Sequence, residues 1–238
     1  MIRPRHAVGV DGAGSGWFAV WRDRSGLGWD RYADAASLWS AHAEAEAIGV
    51  DVPIGLGESG PRPSDHEARR FVGGARSSSV FPAPLRAVLD CTTRAEASSR
   101  QRAIDGRGLS AQAFALFPKI RDWDALLQRD AIARSRVHEV HPEVSFAAMN
   151  GGAGLGLVSS KRTEAGHRQR LQLLSPDFGQ TAIRSVLVEV PKQIAQPDDI
   201  LDAIAALWTA ERLVSGVAQS LPNLPPTDRT GLTMAIRY

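Results

Sequence analysis

Four aspartates occupy positions from which their carboxylates can do chemistry together. Asp11 ends an apolar run before a glycine-rich turn, and Asp51 has the same place after a second apolar run. Asp199 and Asp202 are three residues apart, which places both side chains on one face of a helix. Carboxylates that converge repel one another unless cations neutralise them. Because oxygen ligands without a Cys/His cluster suit Mg²⁺ or Mn²⁺ better than zinc, we expect a site for one of these cations if the four acids meet.

The same acids also have ordinary structural interpretations. Asp11 can open the glycine-rich turn by accepting a backbone hydrogen bond. Acids in the first turn of a helix, such as Asp199 and Asp202, are favourable partners of the helix dipole without any ligand. An unpaired buried carboxylate is costly, so the elements that carry these acids decide between the two interpretations.

The apolar pattern predicts that strands carry the first two acids. A β-branched run leads to Asp11, and a second apolar run after the turn predicts a hairpin. The pattern then predicts a strand over 27–32, a helix over 34–42 capped by Asp34, and a strand over 47–56. Strands joined by a right-handed crossover tend to end at the same edge of a sheet, where α/β proteins bind ligands. Asp11 and Asp51 are therefore expected at one edge.

The rest of the chain is predicted to complete a single domain, 1–238, with an insertion at about 57–136. The insertion interrupts the preceding alternation of strands and helices with Gly- and Pro-rich segments and short arginine-bearing helices. Beyond it the pattern predicts a strand over 137–141 that carries Glu139, a basic helix from Ser160 and a helix over 198–210. Residues 183–190 fit a strand or a helix, and the pattern slightly favours a helix. The tail from Pro222 is expected to be peripheral.

Composition limits the class of protein. Hydrophobic residues make up 43% of the chain and charged residues 23%, which is typical of a globular protein rather than a disordered one. No apolar stretch approaches the roughly 18 residues of a membrane span, and no apolar signal region precedes the first strand. Cys91 is the one cysteine, and without a nearby histidine it is expected to be an inert thiol. We therefore expect a cytoplasmic protein without a membrane partner.

The charge is unevenly distributed, although the net charge is only +2. Residues 62–170 contain 18 basic and 11 acidic side chains, whereas the remainder contains 10 and 15. Most of the basic residues are arginines, which suit bidentate phosphate contacts. An anionic partner such as DNA or RNA is therefore expected, although a GC-rich genome also favours arginine over lysine.

The order of the predicted elements resembles the ribonuclease H-like superfamily, and the paired acids on the last helix are similar to those of its RuvC-type resolvases. More closely, the chain resembles the domain of unknown function 429 family, whose members are described as predicted nucleases. Six motifs carry this resemblance in order along nearly the whole chain: Gly9-Val10-Asp11-Gly12, Asp51-Val52-Pro53-Ile54-Gly55-Leu56, Ser79-Val80-Phe81-Pro82-Ala83-Pro84, Glu139-Val140-His141-Pro142-Glu143-Val144-Ser145-Phe146, Ser160-Lys161-Arg162 and Asp198-Asp199-Ile200-Leu201-Asp202-Ala203.

The resemblance implies an α/β fold with a ribonuclease H-like mixed sheet. Antiparallel hairpin strands at the N-terminus are followed by parallel strands, with helices on the flanks and a helical insertion. It makes Asp11, Asp51, Asp199 and Asp202 the metal ligands and Glu139 a candidate fifth catalytic acid. The implied enzyme is a nuclease, a hydrolase acting on ester bonds. Two Mg²⁺ or Mn²⁺ ions about 3.5–4 Å apart would activate water and stabilise the leaving oxygen of a phosphodiester.

Four further residues are candidates for binding the substrate. Arg76, Lys161 and Arg162 would hold phosphate oxygens, and each also has the ordinary interpretation of a solvated surface charge. His141 would position water or the scissile phosphate, and a structural hydrogen bond to a loop is the alternative.

Two other classes of function stay open. The segment from Asp11 to Ser15 is similar to the first phosphate-binding hairpin of the actin, Hsp70 and sugar-kinase phosphotransferases, but that fold contains two such domains and this chain has room for one. A non-catalytic nucleic-acid-binding module is the third interpretation. Whether the chain forms a homodimer, as resolvases do, is also left open by the sequence.

Overall fold

A five-stranded sheet forms the centre of the computed structural model. The model describes residues 6–24 and 26–238, so residues 1–5 and Ser25, which the predicted domain 1–238 includes, lie outside the described residues. The strands pair in the order Leu27–Tyr32 (β3), Gly16–Arg22 (β2), Ala7–Ala13 (β1), Ala47–Val50 (β4) and Val137–Glu139 (β5). β2 is antiparallel to both β1 and β3, whereas β4 pairs in parallel with both β1 and β5. The predicted mixed sheet is confirmed.

Helices cover both faces of this sheet. In chain order they are Ala35–Ala41 (α1), Pro63–Val72 (α2), Arg94–Asp105 (α3), Ala111–Ala115 (α4), Phe117–Arg129 (α5), Ala131–Arg136 (α6), Pro142–Met149 (α7), Glu164–Phe178 (α8), Gln180–Glu189 (α9) and Pro197–Val214 (α10). Two 3-10 helices, Gly74–Ser79 and Arg86–Val88, follow α2. Among the described residues, no helix combines the length and the apolar character that a membrane crossing requires.

Side-chain alternation in the strands divides the core into two layers. Val8 and Val10 of β1 belong to the layer that contains α5, whereas Ala7 belongs to the layer that contains α10. Trp17 and Phe18 of β2 are divided between the two layers in the same way. Successive residues of a strand point to opposite faces, so this alternation fixes which face each later residue of β1 and β4 uses.

Helix α10 lies directly on β1 and β4 because two glycines face it. A Cβ atom at Gly9 would lie 2.1 Å from the carbonyl oxygen of Ala203, and one at Gly49 would lie 2.7 Å from that of Ala206. Any larger residue at either position would push the helix away from the sheet. The predicted helix over 198–210 is confirmed as α10, and its close approach places its first turn at the strand ends.

The predicted helical insertion supplies the helical layer on the opposite face. Phe117, Ile120 and Trp123 of α5 are buried in the same core as Val8 and Val10. Residues 57–136 are therefore an integral part of the domain, because they cover one side of its central sheet.

Two expectations about element positions are wrong. The strand predicted over 47–56 ends at Val50, since Pro53 and the left-handed backbone of Gly55, with φ 72°, interrupt the extended chain. The tail from Pro222 is not peripheral: its strand Ile236–Arg237 (β7) pairs with Ser220–Leu221 (β6), which directly precedes the tail, and Ile236 is buried. Its Arg237 bridges to Val140. The tail covers the sheet edge beside β5, which would otherwise expose unpaired backbone groups.

Candidate functional site

Strand alternation and register bring Asp11 and Asp51 together beneath α10. Gly9 faces α10, and Asp11, two residues later in the same strand, faces the same way. β1 and β4 pair with Val10 opposite Val50, and the amide of Asp51 donates to the carbonyl oxygen of Val10 at 3.0 Å. The two carboxylates therefore lie side by side at the carboxyl ends of adjacent parallel strands.

The third carboxylate comes from α10. Asp202 precedes Ala203, whose carbonyl oxygen faces Gly9, so the contact between helix and strand carries Asp202 to the strand ends. Oxygen atoms of Asp11, Asp51 and Asp202 all lie within 4.8 Å of one another. Asp11 is 8% exposed and Asp202 is 3% exposed. We call these three residues the acid cluster.

The acid cluster holds its protons more tightly than ordinary aspartates do. Burial raises the pKa of Asp11 well above its usual value, and the charges of Asp51 and Asp202 raise it further. Burial likewise raises the pKa of Asp202 to about 6, against the opposing effect of Lys161. The pKa of Asp51 is also raised by burial, while His141 and Lys161 act in the opposite direction. At neutral pH the negative charges are therefore kept together at a cost in free energy.

Lys161 supplies part of the compensating charge. Its Nζ atom donates to Oδ2 of Asp202 at 2.6 Å and lies 3.8 Å from Oδ2 of Asp198. Burial acts to lower the pKa of Lys161, but Asp202 and the other acids raise it above its usual range. The predicted phosphate-binding lysine thus contacts the acid cluster itself, and its side chain remains 38% exposed toward the cavity.

The acid cluster fits a divalent cation. Protein oxygen ligands lie about 2.0–2.6 Å from Mg²⁺ or Ca²⁺, so oxygen atoms within 4.8 Å of one another can contact the same ion. Three ionised carboxylates beside one ammonium group leave two negative charges, which one divalent cation balances. Because all three ligands are hard oxygen donors, Mg²⁺ and Mn²⁺ suit the site better than zinc.

Asp199 has a different position from the other three aspartates. Its Oδ2 atom accepts a hydrogen bond from the backbone amide of Gln196 at 3.0 Å, which completes a capping box at the start of α10. The charge of Asp199 still raises the pKa of Asp11. Asp199 therefore orders the helix start, as its alternative interpretation expected, while it adds to the negative field at the acid cluster.

Glu139, the predicted fifth acid, faces the other side of the sheet. In the parallel register Glu139 lies opposite Val50, so its side chain shares the face of Val50 rather than that of Asp51. There its carboxylate accepts from Nη1 and Nη2 of Arg62 at 2.8 and 2.7 Å and from the amide of Ile54 at 2.7 Å. Glu139 also lines the same cavity as the acid cluster, but its carboxylate is paired with Arg62 and is not among the converging ligand atoms, which corrects that expectation.

The two arginines that were predicted to bind phosphate differ in position. Arg76 lines the cavity at the acid cluster, but its guanidinium donates to the carbonyl oxygens of Leu157 at 2.5 Å and Val158 at 3.0 Å. Arg76 therefore ties the loop before Lys161 to the 3-10 helix Gly74–Ser79. Arg162 is exposed on the surface, which agrees with its ordinary interpretation as a solvated charge.

His141 makes a structural hydrogen bond, as its alternative interpretation expected, and also lies at the site. Its Nδ1 atom accepts from the amide of Glu143 at 3.3 Å and so caps α7. The ring also lines the cavity. The helix cap fixes the orientation of the ring beside the acid cluster.

A cavity of about 620 Å³ opens in front of the acid cluster. The acid cluster, Lys161 and His141 line this cavity. The insertion and the tail also contribute to its lining, with Ser78, Ser79, Val80, Phe81, Leu116, Lys119 and Ile236. Pockets of roughly 300–1,000 Å³ are typical of sites that enclose a small ligand.

Arg62, Asp65 and Glu143 also line the cavity, although none of them was among the predicted site residues. Arg62 neutralises Glu139 and also pairs with Asp65 at 2.5 Å. Glu143 lines the cavity and raises the pKa values of Asp51 and Asp202, while its Oε1 atom accepts from the buried Arg170 at 2.5 Å. The spacing of Glu143 from His141 within one short motif was the available signal for Glu143, whereas no local pattern connects Arg62 with Glu139.

Comparison with known proteins identifies the family without indicating a function. No curated protein and no solved structure was found to match this chain. A family model described as "Protein of unknown function (DUF429)" matches residues 9–227, a range that contains every residue of the acid cluster. The chain therefore belongs to the DUF429 family.

Proposed function

We propose that this protein is a metal-dependent nuclease that hydrolyses phosphodiester bonds of DNA or RNA with Mg²⁺ or Mn²⁺. The observation that carries the proposal is the acid cluster: Asp11, Asp51 and Asp202 bring carboxylate oxygens within 4.8 Å of one another beside a cavity. Structural acids are usually neutralised by arginine or lysine, and here one lysine faces three carboxylates.

The residues at this site have separate tasks in the proposed reaction. Asp11, Asp51 and Asp202 would hold the cation, which lowers the pKa of a bound water and offsets negative charge on the phosphate. Lys161, whose ammonium contacts Asp202, would also face a phosphate that enters the cavity. His141 would orient water or a phosphate oxygen from its fixed position at the start of α7.

The charges around the cavity support an anionic substrate. Lys119 and Lys161 both line it. Lys119 lies 4.4 Å from the centre of the Trp17 ring and donates to the carbonyl oxygen of Gly16. Neither contact neutralises its charge. The excess of basic residues in 62–170 extends this attraction beyond the cavity.

The test is a cleavage panel with a matched pair of variants. Purified protein is incubated with labelled single-stranded, duplex, branched and hybrid nucleic acids in Mn²⁺, Mg²⁺ or EDTA. We expect metal-dependent cleavage by the wild type and a loss of at least about 10³-fold in Asp11→Asn, because the loss of a ligand charge weakens metal binding and transition-state stabilisation together. Asp90→Asn, which changes an acid with 75% side-chain exposure that pairs with Arg100, is the control and should cleave like the wild type.

Calorimetry with Mg²⁺ and Mn²⁺, together with the cleavage panel, distinguishes the outcomes that would contradict the nuclease proposal. If the wild type binds neither cation and cleaves no substrate in the panel, the nuclease proposal is wrong. Saturable ATP binding without cleavage would instead favour the phosphotransferase interpretation. Binding of nucleic acid that is indifferent to Asp11→Asn, with no turnover, would favour the non-catalytic module.

A further inference from the structure

Phe81 is the most exposed aromatic side chain among the described residues. Its side chain is 44% exposed, and it lines the same cavity as the acid cluster. Every other Phe, Tyr or Trp among the described residues is buried or partly buried. Single exposed apolar residues are common on protein surfaces, but this one stands inside the cavity that holds the carboxylates.

The backbone on both sides of Phe81 is fixed. Val80 is buried in the core, with 1% exposure, and its carbonyl oxygen accepts from Arg69 at 3.4 Å. The amide of Ala83 donates to Oδ2 of Asp65 at 2.8 Å, and Asp65 is itself held by Arg62. The ring is therefore presented from an anchored segment, so a ligand that contacts it need not order the loop first.

The dimensions of the cavity limit what can reach the acids. A volume of about 620 Å³ is within the range of roughly 300–1,000 Å³ that is typical of sites enclosing a small ligand. A nucleic-acid duplex, whose major groove alone is about 12 Å wide, is too broad to enter. One nucleotide that is unstacked from its neighbours can enter, with its flat base against an aromatic ring.

We propose that the cavity binds an unpaired nucleotide of a single strand, with the base stacked on Phe81 and the phosphate directed to the acid cluster. This inference rests on the proposed nuclease function and adds the form of the substrate. Stacking on an aromatic ring tolerates any base, because every base has a flat π face. The site is therefore selective for unpaired nucleotides and not for sequence.

Binding and cleavage of matched strands test the inference. The probes are a labelled ten-nucleotide single strand of DNA, its RNA counterpart, and the blunt duplex of each. Binding is measured by fluorescence anisotropy in Ca²⁺, and cleavage is measured in Mn²⁺. We expect a single strand to bind at least about tenfold more tightly than its own duplex, and to be cleaved faster.

Variants at position 81 then identify the ring as the stacking surface. Phe81→Ala should weaken single-strand binding and raise KM by about 5- to 150-fold, the effect of losing one base–aromatic stack, while kcat changes less than about twofold. Phe81→Trp should restore binding. Val158→Ala, which truncates another exposed apolar residue with 80% exposure, is the control and should bind like the wild type. Unchanged melting temperatures would show that each variant is folded.

The outcomes separate this inference from the nuclease proposal. Equal binding of single strand and duplex, or single-strand binding that Phe81→Ala leaves unchanged, overturns the inference even if cleavage occurs. If no substrate is cleaved but single strands bind through Phe81, the nuclease proposal fails while the unpaired-nucleotide site stands.

Discussion

The two faces of the sheet at its carboxyl edge both carry buried acids, and these acids have opposite surroundings. On one face, Glu139 and Asp65 share Arg62, whose guanidinium contacts both carboxylates at 2.5–2.7 Å. On the other face, Asp11, Asp51 and Asp202 have one lysine between them. We call the first group the arginine network. Buried carboxylates at this edge are thus structural where an arginine of the chain neutralises them. They form a candidate ligand site where the chain does not neutralise all of their negative charge.

The difference follows from register and not from residue type. Glu139 lies opposite Val50, so it points away from Asp51. A shift of one residue in this pairing would exchange the faces and would bring His138 rather than Glu139 beneath Arg62. An acid after a buried strand is therefore an ambiguous signal until the pairing of that strand is known.

The largest effect should come from breaking the arginine network. Arg62→Met removes the cation and leaves Glu139 and Asp65 buried without it, so we expect a loss of about 3–5 kcal/mol in the free energy of unfolding. Urea denaturation measures this loss relative to the wild type, and the difference should be the same in Mg²⁺ as in EDTA. Arg100→Met, which removes an exposed arginine from Asp90 and Glu96, should leave the midpoint nearly unchanged. A midpoint for Arg62→Met equal to that of the wild type would contradict the structural role of the network.

The parts of this arrangement that could be predicted from the sequence are those specified by residues close together in the chain. The hairpin, β3 and the Asp34-capped helix were predictable, because alternation, glycine turns and capping residues act within a few positions; Oδ1 of Asp34 indeed accepts from the amide of Ser37 at 2.7 Å. The positions of Asp11 and Asp202 also followed from apolar runs next to acids.

What could not be predicted lies in long-range pairing. Arg62 and Glu139 are 77 residues apart, and the pairing of β5 decides that they meet. The tail from Pro222 was expected to be peripheral because prolines and a glycine interrupt it, yet it covers the edge beside β5. Asp199 and Asp202 share a helix face, but only the contact of Ala203 with Gly9 selects Asp202 to reach the strand ends.

An intermediate effect should come from adding the missing cation to the acid cluster. A ligand at a concentration of 100 times its Kd stabilises the folded state by about 2.7 kcal/mol, so we expect Mg²⁺ or Mn²⁺ to raise the unfolding free energy of the wild type by this amount. Lys161→Met should lose stability in EDTA, because Asp202 loses its partner at 2.6 Å, and Mg²⁺ should restore most of that loss. Thermal denaturation with and without the cation measures both effects. If Mg²⁺ stabilises Lys161→Met no more than it stabilises the wild type and Arg62→Met, relative to EDTA, the cation does not replace the charge of Lys161 at the acid cluster.

The smallest effect is a pH dependence that belongs to the acid cluster alone. In the folded protein burial raises the pKa of Asp202 to about 6 and that of Asp11 well above its usual value. The folded state therefore binds more protons than the unfolded state in this window, and the metal-free wild type should lose stability as pH rises from about 4 through 6. Asp11→Asn removes one of the repelling charges, so in EDTA at pH 7.5 it should melt several degrees above the wild type, with about 2–4 °C for each kcal/mol in a chain of this length.

The order of the melting temperatures of the wild type and Asp11→Asn should then reverse when metal is added. At pH 4 the wild type and Asp11→Asn should melt together, because the carboxylates are protonated in both. At pH 7.5 in Mg²⁺ the wild type should be the more stable protein, since the charge that destabilises it without metal is the charge that binds the cation. Parallel melting curves across this pH range, in EDTA and in Mg²⁺ alike, would show that Asp11 is neutralised within the chain, as Glu139 is by Arg62. The reversal therefore distinguishes a metal site from a second structural ion-pair network with one measurement.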